Sequence, residues 1–149
     1  NYKQAFTLYQ QCLAIEPGHY EALSRLAELC YRSGEYEEGI KYTKRVLEFD
    51  TYDGSANFIY GNLLLKLGRL NEAEEALSLA ARTLEYRSAA FVYIAGLHLQ
   101  QNNFAQAAFY AKRSLEYNRH NLSAYQLLAS AYRKQRNAGA ADSVLNQLL

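Results

Sequence analysis

Residues 31–50, YRSGEYEEGIKYTKRVLEFD, set Glu35, Glu37 and Glu38 directly after a glycine and close on Glu48 and Asp50. Paired carboxylates are the equipment of general acid–base catalysis when their surroundings hold them at different pKa values. The other groups able to do chemistry are His19, His98 and His120, the thiols Cys12 and Cys30, and the helical serines Ser24, Ser78, Ser114 and Ser130. No second His, Cys or carboxylate converges on a histidine at metal-ligand spacing, and the two cysteines form neither a disulfide framework nor a zinc motif. No serine has a histidine in a matching place. No glycine-rich phosphate loop, GxSxG elbow or HExxH occurs. No cofactor or metal is implied, and the chain reads as a non-enzyme.

The acidic stretch returns instead as one copy of a repeat. A step of 34 residues gives LKLGRLNEAEEALSLAARTL from Leu65, another gives LQQNNFAQAAFYAKRSLEYN from Leu99, and a third reaches RKQRNAGAADSVLNQLL from Arg133. Glu37 becomes Asn71. Glu38 becomes Glu72, then Gln106 and Ala140. The acids are variable decoration on a fixed frame.

Small residues mark that frame: Ala27, Gly61, Ala95 and Ala129 in one column, and Ala5, Gly39, Ala73, Ala107 and Ala141 in another. They let helix backbones approach closely. Bulky residues fill the columns between, as in Leu26, Tyr60, Ile94, Leu128 and in Tyr2, Tyr36, Leu70, Phe104. Apolar spacing of three and four, as in Leu23, Leu26, Ala27 and Cys30, marks one face of a helix. Gly34 and Gly68 break each pattern mid-repeat, where a helix can end in a left-handed residue. Asn102 stands there in the third copy and tolerates that conformation. Arg136 tolerates it poorly, so Asn137 or Gly139 is expected to take the fourth turn. Nine helices are predicted, over 2–15, 20–33, 36–49, 54–67, 70–84, 88–101, 104–117, 122–135 and 138–148. The segment 84–90 lacks Gly, Pro and Asn, yet is expected to turn, with Ser88 capping the next helix.

The 34-residue helix–turn–helix with its small-residue columns resembles the tetratricopeptide repeat. The resemblance runs ungapped along the chain: a half repeat at 1–19, full repeats at 20–53, 54–87 and 88–121, and a last repeat at 122–149, a single array that looks like an excerpt of a longer protein. It departs from the family in two columns. Leu23, Asn57, Phe91 and Tyr125 occupy the tryptophan-like place. The closing proline survives only as Pro17, with Thr51, Glu85 and Arg119 elsewhere. The resemblance implies an all-α, right-handed superhelical solenoid of antiparallel helix pairs. The stretches 83–97 and 115–137 are also similar to repeat regions of large Bacteroidota proteins that follow a domain of unknown function with suspected carbohydrate links.

What the resemblance implies about function is a concave groove lined by the first helix of each pair. Its columns would supply Arg25, Phe58, Asn62, Val92, Tyr93, Gly96, Gln126 and Ser130. Asn62 matches an asparagine of the family's carboxylate clamp. Phe58, Ser123 and Leu127 stand where that clamp wants basic residues, so an apolar anchor on the partner is expected, with Arg25 meeting an acidic flank. The reading is an interaction scaffold for a peptide or protein segment. Its alternative is an accessory array that positions a catalytic or carbohydrate-linked domain. Self-association through exposed terminal helices, including Val144, Leu145 and Leu148, is a further expectation.

Composition agrees. Half of the 149 residues are apolar and the net charge is +1, which gives no polyelectrolyte attraction to nucleic acid or anionic lipid. The pairs Lys112-Arg113 and Arg133-Lys134 are too short to suggest a nucleic-acid surface. No apolar run is long enough for membrane insertion. No secretory signal is legible, leaving the compartment open with the cytoplasm as the default.

Overall fold

A computed structural model describes residues 1–136 and 138–147. Nine helices and no strands occur among them: α1 Tyr2–Ile15, α2 Tyr20–Ser33, α3 Tyr36–Phe49, α4 Gly54–Lys66, α5 Leu70–Ala80, α6 Leu84–Gln100, α7 Phe104–Tyr117, α8 Leu122–Lys134 and α9 Ala138–Asn146. The chain forms two compact units, Asn1–Ala80 and Ala81–Leu149.

In the first unit each helix packs on its neighbour in sequence, and α2 also meets α4. Leu23, Leu26, Ala27 and Cys30 are fully buried, with Leu13, Tyr42, Val46 and Ala56 in the same cluster. The small-residue columns are true close approaches. A Cβ added at Gly61 would lie 2.6 Å from Leu77 Cγ, and one at Gly39 would lie 3.0 Å from Cys30 Cβ. In the second unit α6 to α9 pack in sequence and α6 meets α8. Ala95, Ala107, Ala111 and Ala131 are fully buried there, with Leu128 and Val144 beside them.

The left-handed turns fall where the sequence places them, at Gly34 (φ 86°), Gly68 (φ 73°) and Asn102 (φ 61°). After each, an N–H reaches back across the helix end: Glu35 to the Cys30 carbonyl at 2.9 Å, Arg69 to Leu64 at 2.9 Å and Asn103 to His98 at 2.8 Å. This is the Schellman closure that satisfies carbonyls left over at a helix C-terminus. The fourth turn differs from expectation. Arg136 itself takes the left-handed conformation at φ 60°, and its N–H donates to the Arg133 carbonyl at 2.9 Å. Repeat geometry outweighs the local preference. Asn137, named as an alternative, lies outside the described residues; Gly139 is already in α9.

The turn before α6 lies earlier than the sequence predicts, and the segment 84–90, expected to turn, is helical throughout. The helix predicted at 70–84 stops at Ala80, and the one predicted from 88 begins at Leu84. Ser88 is therefore one turn inside α6 and caps nothing. Arg87 holds the turn instead: its Nε donates to the Ala81 carbonyl at 2.7 Å and its Nη2 to the Arg82 carbonyl at 2.9 Å. Its guanidinium also lies 4.9 Å from the Tyr117 ring centroid. Two carbonyls left over beyond α5 are thus satisfied by a side chain. Ser88 ties α6 to α7, with its Oγ 2.8 Å from the buried Ser114 Oγ, and Asn121 Nδ2 donates to both hydroxyls at 3.3 and 3.4 Å. The turn before α4, which also lacks proline, is held by Asn57: its Nδ2 donates to the Thr51 and Asp53 carbonyls, both at 2.9 Å.

Candidate functional site

The acidic stretch is structural. Glu37 and Glu38 occupy the first turn of α3, where carboxylates complement the helix dipole. Glu38 accepts from Lys41 Nζ at 2.8 Å. Its counterpart Glu72 is gripped by Arg69 through two bonds of 2.9 and 2.7 Å. That hydrogen bonding holds the Glu72 carboxyl below its ordinary range, the opposite of what a general acid requires.

His19, His98 and Cys30 also have structural places. His19 Nδ1 accepts the Ala22 N–H at 3.2 Å and caps α2. His98 is buried, its ring stacked on Tyr110 at 5.5 Å between centroids with planes 4° apart. Burial, with the charges of Glu35 and Glu38 adding to it, pushes the Cys30 thiol up to about 11, so it is an inert core group at neutral pH. No three of His, Cys, Asp or Glu gather as a metal site among the described residues. None of the described helices is long and apolar enough to cross a membrane.

Each expected binding residue lies on the first helix of its pair. In the first unit Arg25 stands on α2, with Phe58 and Asn62 on α4. Arg25 is bracketed by its own helix: Nε lies 2.8 Å from Glu21 and Nη1 lies 3.1 Å from Glu28. These hydrogen bonds raise the guanidinium pKa above its ordinary value. The triad carries a net negative charge. Phe58 is half-buried. Asn62 is 8% exposed, and no hydrogen-bond partner reaches its buried Oδ1 among the described residues. An orphaned acceptor of this kind costs about 1–3 kcal/mol.

In the second unit Val92, Tyr93 and Gly96 stand on α6, and Gln126 and Ser130 on α8. Val92 is half-buried, while Tyr93 keeps 38% of its surface exposed. A Cβ at Gly96 would meet only Leu127 Cδ2, at 4.0 Å. A side chain at Gly96 would thus enter open space, with Leu127 at its side and Val92 one helical turn before it. Gln126 is exposed and Ser130 half-buried. Ile59, beside Phe58 on α4, packs against the first unit's core.

Sequence reasoning missed one feature. A cleft of about 620 Å³ in the first unit is lined by Phe6, Gln10, Tyr36, Glu37, Lys41 and Leu67, among others. It lies against α1 and α3, the second helices of their pairs. Its members are scattered over sixty positions, so no local motif announces them. Of the C-terminal apolar end expected to be exposed, Val144 is buried in the second unit's core and Leu145 is half-buried against it. Leu148 lies outside the described residues.

Two family models described as tetratricopeptide repeat match residues 1–53 and 54–82, together more than half of the chain. No curated protein matches. Among solved structures, the chain is similar to a crystal structure of MamA, with 18% identity, 99% of this chain and 86% of that one covered, and a TM-score of 0.92. PilF of Pseudomonas aeruginosa is 26% identical over 99% of this chain and 68% of its own, with a TM-score of 0.89. YrrB, described as having an unusual peptide-binding site, is 16% identical over 99% and 76%, with a TM-score of 0.80. At these identities the likeness to MamA and YrrB is one of fold.

Proposed function

The chain belongs to the tetratricopeptide repeat family, and from that premise we propose that it is an interaction scaffold whose first-helix faces bind a peptide or protein segment through a bulky apolar side chain. The observation that carries this reading is the open space at Gly96. In its column Glu28, Asn62 and Ser130 all carry side chains, whereas a Cβ added at Gly96 would meet only Leu127. An apolar ligand side chain lodged there gains contact with Val92, Tyr93 and Leu127. Rigid helices supply the surface preorganised, so little ordering cost is incurred on binding. The orphaned Oδ1 of Asn62 supports a complementary polar contact in the first unit, where a ligand N–H would recover the cost of an unmet acceptor. The peptide-binding site named for YrrB is consistent with this class of ligand.

A ligand recovered by pull-down with the whole chain tests the reading. Filling that space with Gly96→Leu should weaken binding at least tenfold, and Phe58→Ala should cost on the order of 2 kcal/mol if it acts as an anchor. Affinity should change little with salt, as apolar anchoring dictates. Unchanged binding by both folded variants would move the site off these faces.

A further inference from the structure

Large apolar residues are exposed within helices, as at Leu8 and Phe109, and recurrently at the turns that join one helix pair to the next. In the first unit these are Ile15, Phe49 and Tyr52, which are 88%, 76% and 63% exposed. Their two turns lie side by side. The Phe49 ring comes within 3.3 Å of where a Gly18 Cβ would stand. Arg45 donates to the Pro17 carbonyl, and Tyr20 donates to Asp53 at 3.1 Å. The second unit repeats the pattern with Leu84, which is 71% exposed, and with Tyr117 and Leu122, which are also exposed. Arg87 draws these together, since it bonds the turn before Leu84 and covers Tyr117. Clusters of exposed apolar side chains mark interaction sites more often than chance surface.

The charges around the two edges are opposite. Segments 14–20 and 47–54 hold Glu16, Glu48, Asp50 and Asp53 and contain no lysine or arginine; Arg45, reaching in at Pro17, leaves the edge strongly negative. Segments 81–87 and 115–122 hold Arg82, Arg87 and Arg119 against Glu85 and Glu116, and Glu116 is neutralised by Arg113 at 3.2 Å. An apolar strip with an acidic rim and an apolar strip with a basic rim thus occur on the same polypeptide. We propose that two copies of this chain associate through these strips, the acidic turn edge of the first unit in one copy meeting the basic turn edge of the second unit in the other. Apolar contact supplies the affinity and opposite charge supplies orientation and partner choice. This interface lies at the turns and leaves the first-helix faces available.

Sedimentation equilibrium of the whole chain over a wide concentration range tests it. The parent should self-associate, less tightly as salt screens the charged rims. Ile15→Ser/Phe49→Ser should weaken association about tenfold or more. Glu16→Lys/Glu48→Lys, which keeps the apolar strip, should also weaken it, and adding Arg119→Glu to that variant should recover part of the loss. All the altered side chains are exposed, so circular dichroism should confirm parent-like folding. A parent that stays monomeric at every concentration overturns the proposal. So does self-association that is unmoved by the apolar pair or by the charge reversal.

Discussion

Arg136 and Asn102 carry side chains at left-handed turn positions that Gly34 and Gly68 fill without strain. An L-residue in that region costs roughly 1–2 kcal/mol, less for asparagine. Glycine also has more freedom to lose from the unfolded chain, which returns part of the gain. Arg136→Gly is therefore expected to stabilise the protein by about 0.5–1 kcal/mol, and Asn102→Gly by less. Gly34→Ala should destabilise it by about 1 kcal/mol: a Cβ there meets nothing within 4 Å, so the cost lies in the backbone alone. Urea denaturation of the three variants checks the order. Equal stability for Arg136→Gly and the parent would mean that the arginine side chain offsets its own backbone strain. The sequence located three of these turns and misplaced the fourth, because the preference of a single residue is weaker than the packing of the helices on either side.

Helix-to-helix contact in this chain rests on the small-residue columns and on the side chains that hold the proline-free turns. Ala95 and Ala107 are fully buried in the second unit, so Ala95→Leu or Ala107→Leu should overpack it by roughly 1–3 kcal/mol. Gly61→Ala should cost a similar amount in the first unit, since the buried Leu77 side chain stands 2.6 Å from the new Cβ. Parent-like melting of the two alanine variants would show that the columns are not contacts. At the turn before α6 the expected outcomes separate two residues. Arg87→Ala removes two charge-assisted bonds and should cost about 2–3 kcal/mol, given roughly 1.5–3 kcal/mol for a hydrogen bond to a charged group. Arg87→Lys should recover little, because a single ammonium does not reproduce the guanidinium fork. Hydrogen exchange at the N-terminal turn of α6 reports the local effect. Ser88→Ala should instead loosen the link between α6 and α7, leaving that first turn protected. The sequence predicted a turn within 84–90 with Ser88 as its cap, whereas the helices break at 81–83 and 84–90 is helical. Arg87 works through the carbonyls of Ala81 and Arg82, five and six residues before it, a reach that no residue-type preference for turns encodes.

Across the whole molecule, burial raises the pKa values of Cys30, Tyr42 and Tyr60 alike. Each group is neutral in its favoured form, and each ionises more readily once unfolded. Stability from these groups is therefore fully present below the unfolded pKa values of roughly 8.5 to 10, and it is lost as pH rises through the folded values, about 11 for Cys30. Denaturation midpoints should fall between about pH 9 and 11, and Cys30→Ala should flatten the lower part of that fall. A midpoint independent of pH across this window would contradict the burial of these groups. What the sequence determined by itself was everything carried by period and residue size: the helix pairs, the repeat length, the buried columns, the left-handed glycines and the family. These follow from a spacing that recurs every 34 residues and from steric rules local to a few positions. Tertiary structure alone decided that Arg25 is held by Glu21 and Glu28, that Asn62 keeps an unmet acceptor, and that Val144 is buried. Each of these depends on side chains from different turns or helices meeting in space, and no periodicity encodes which of several possible neighbours a side chain will reach.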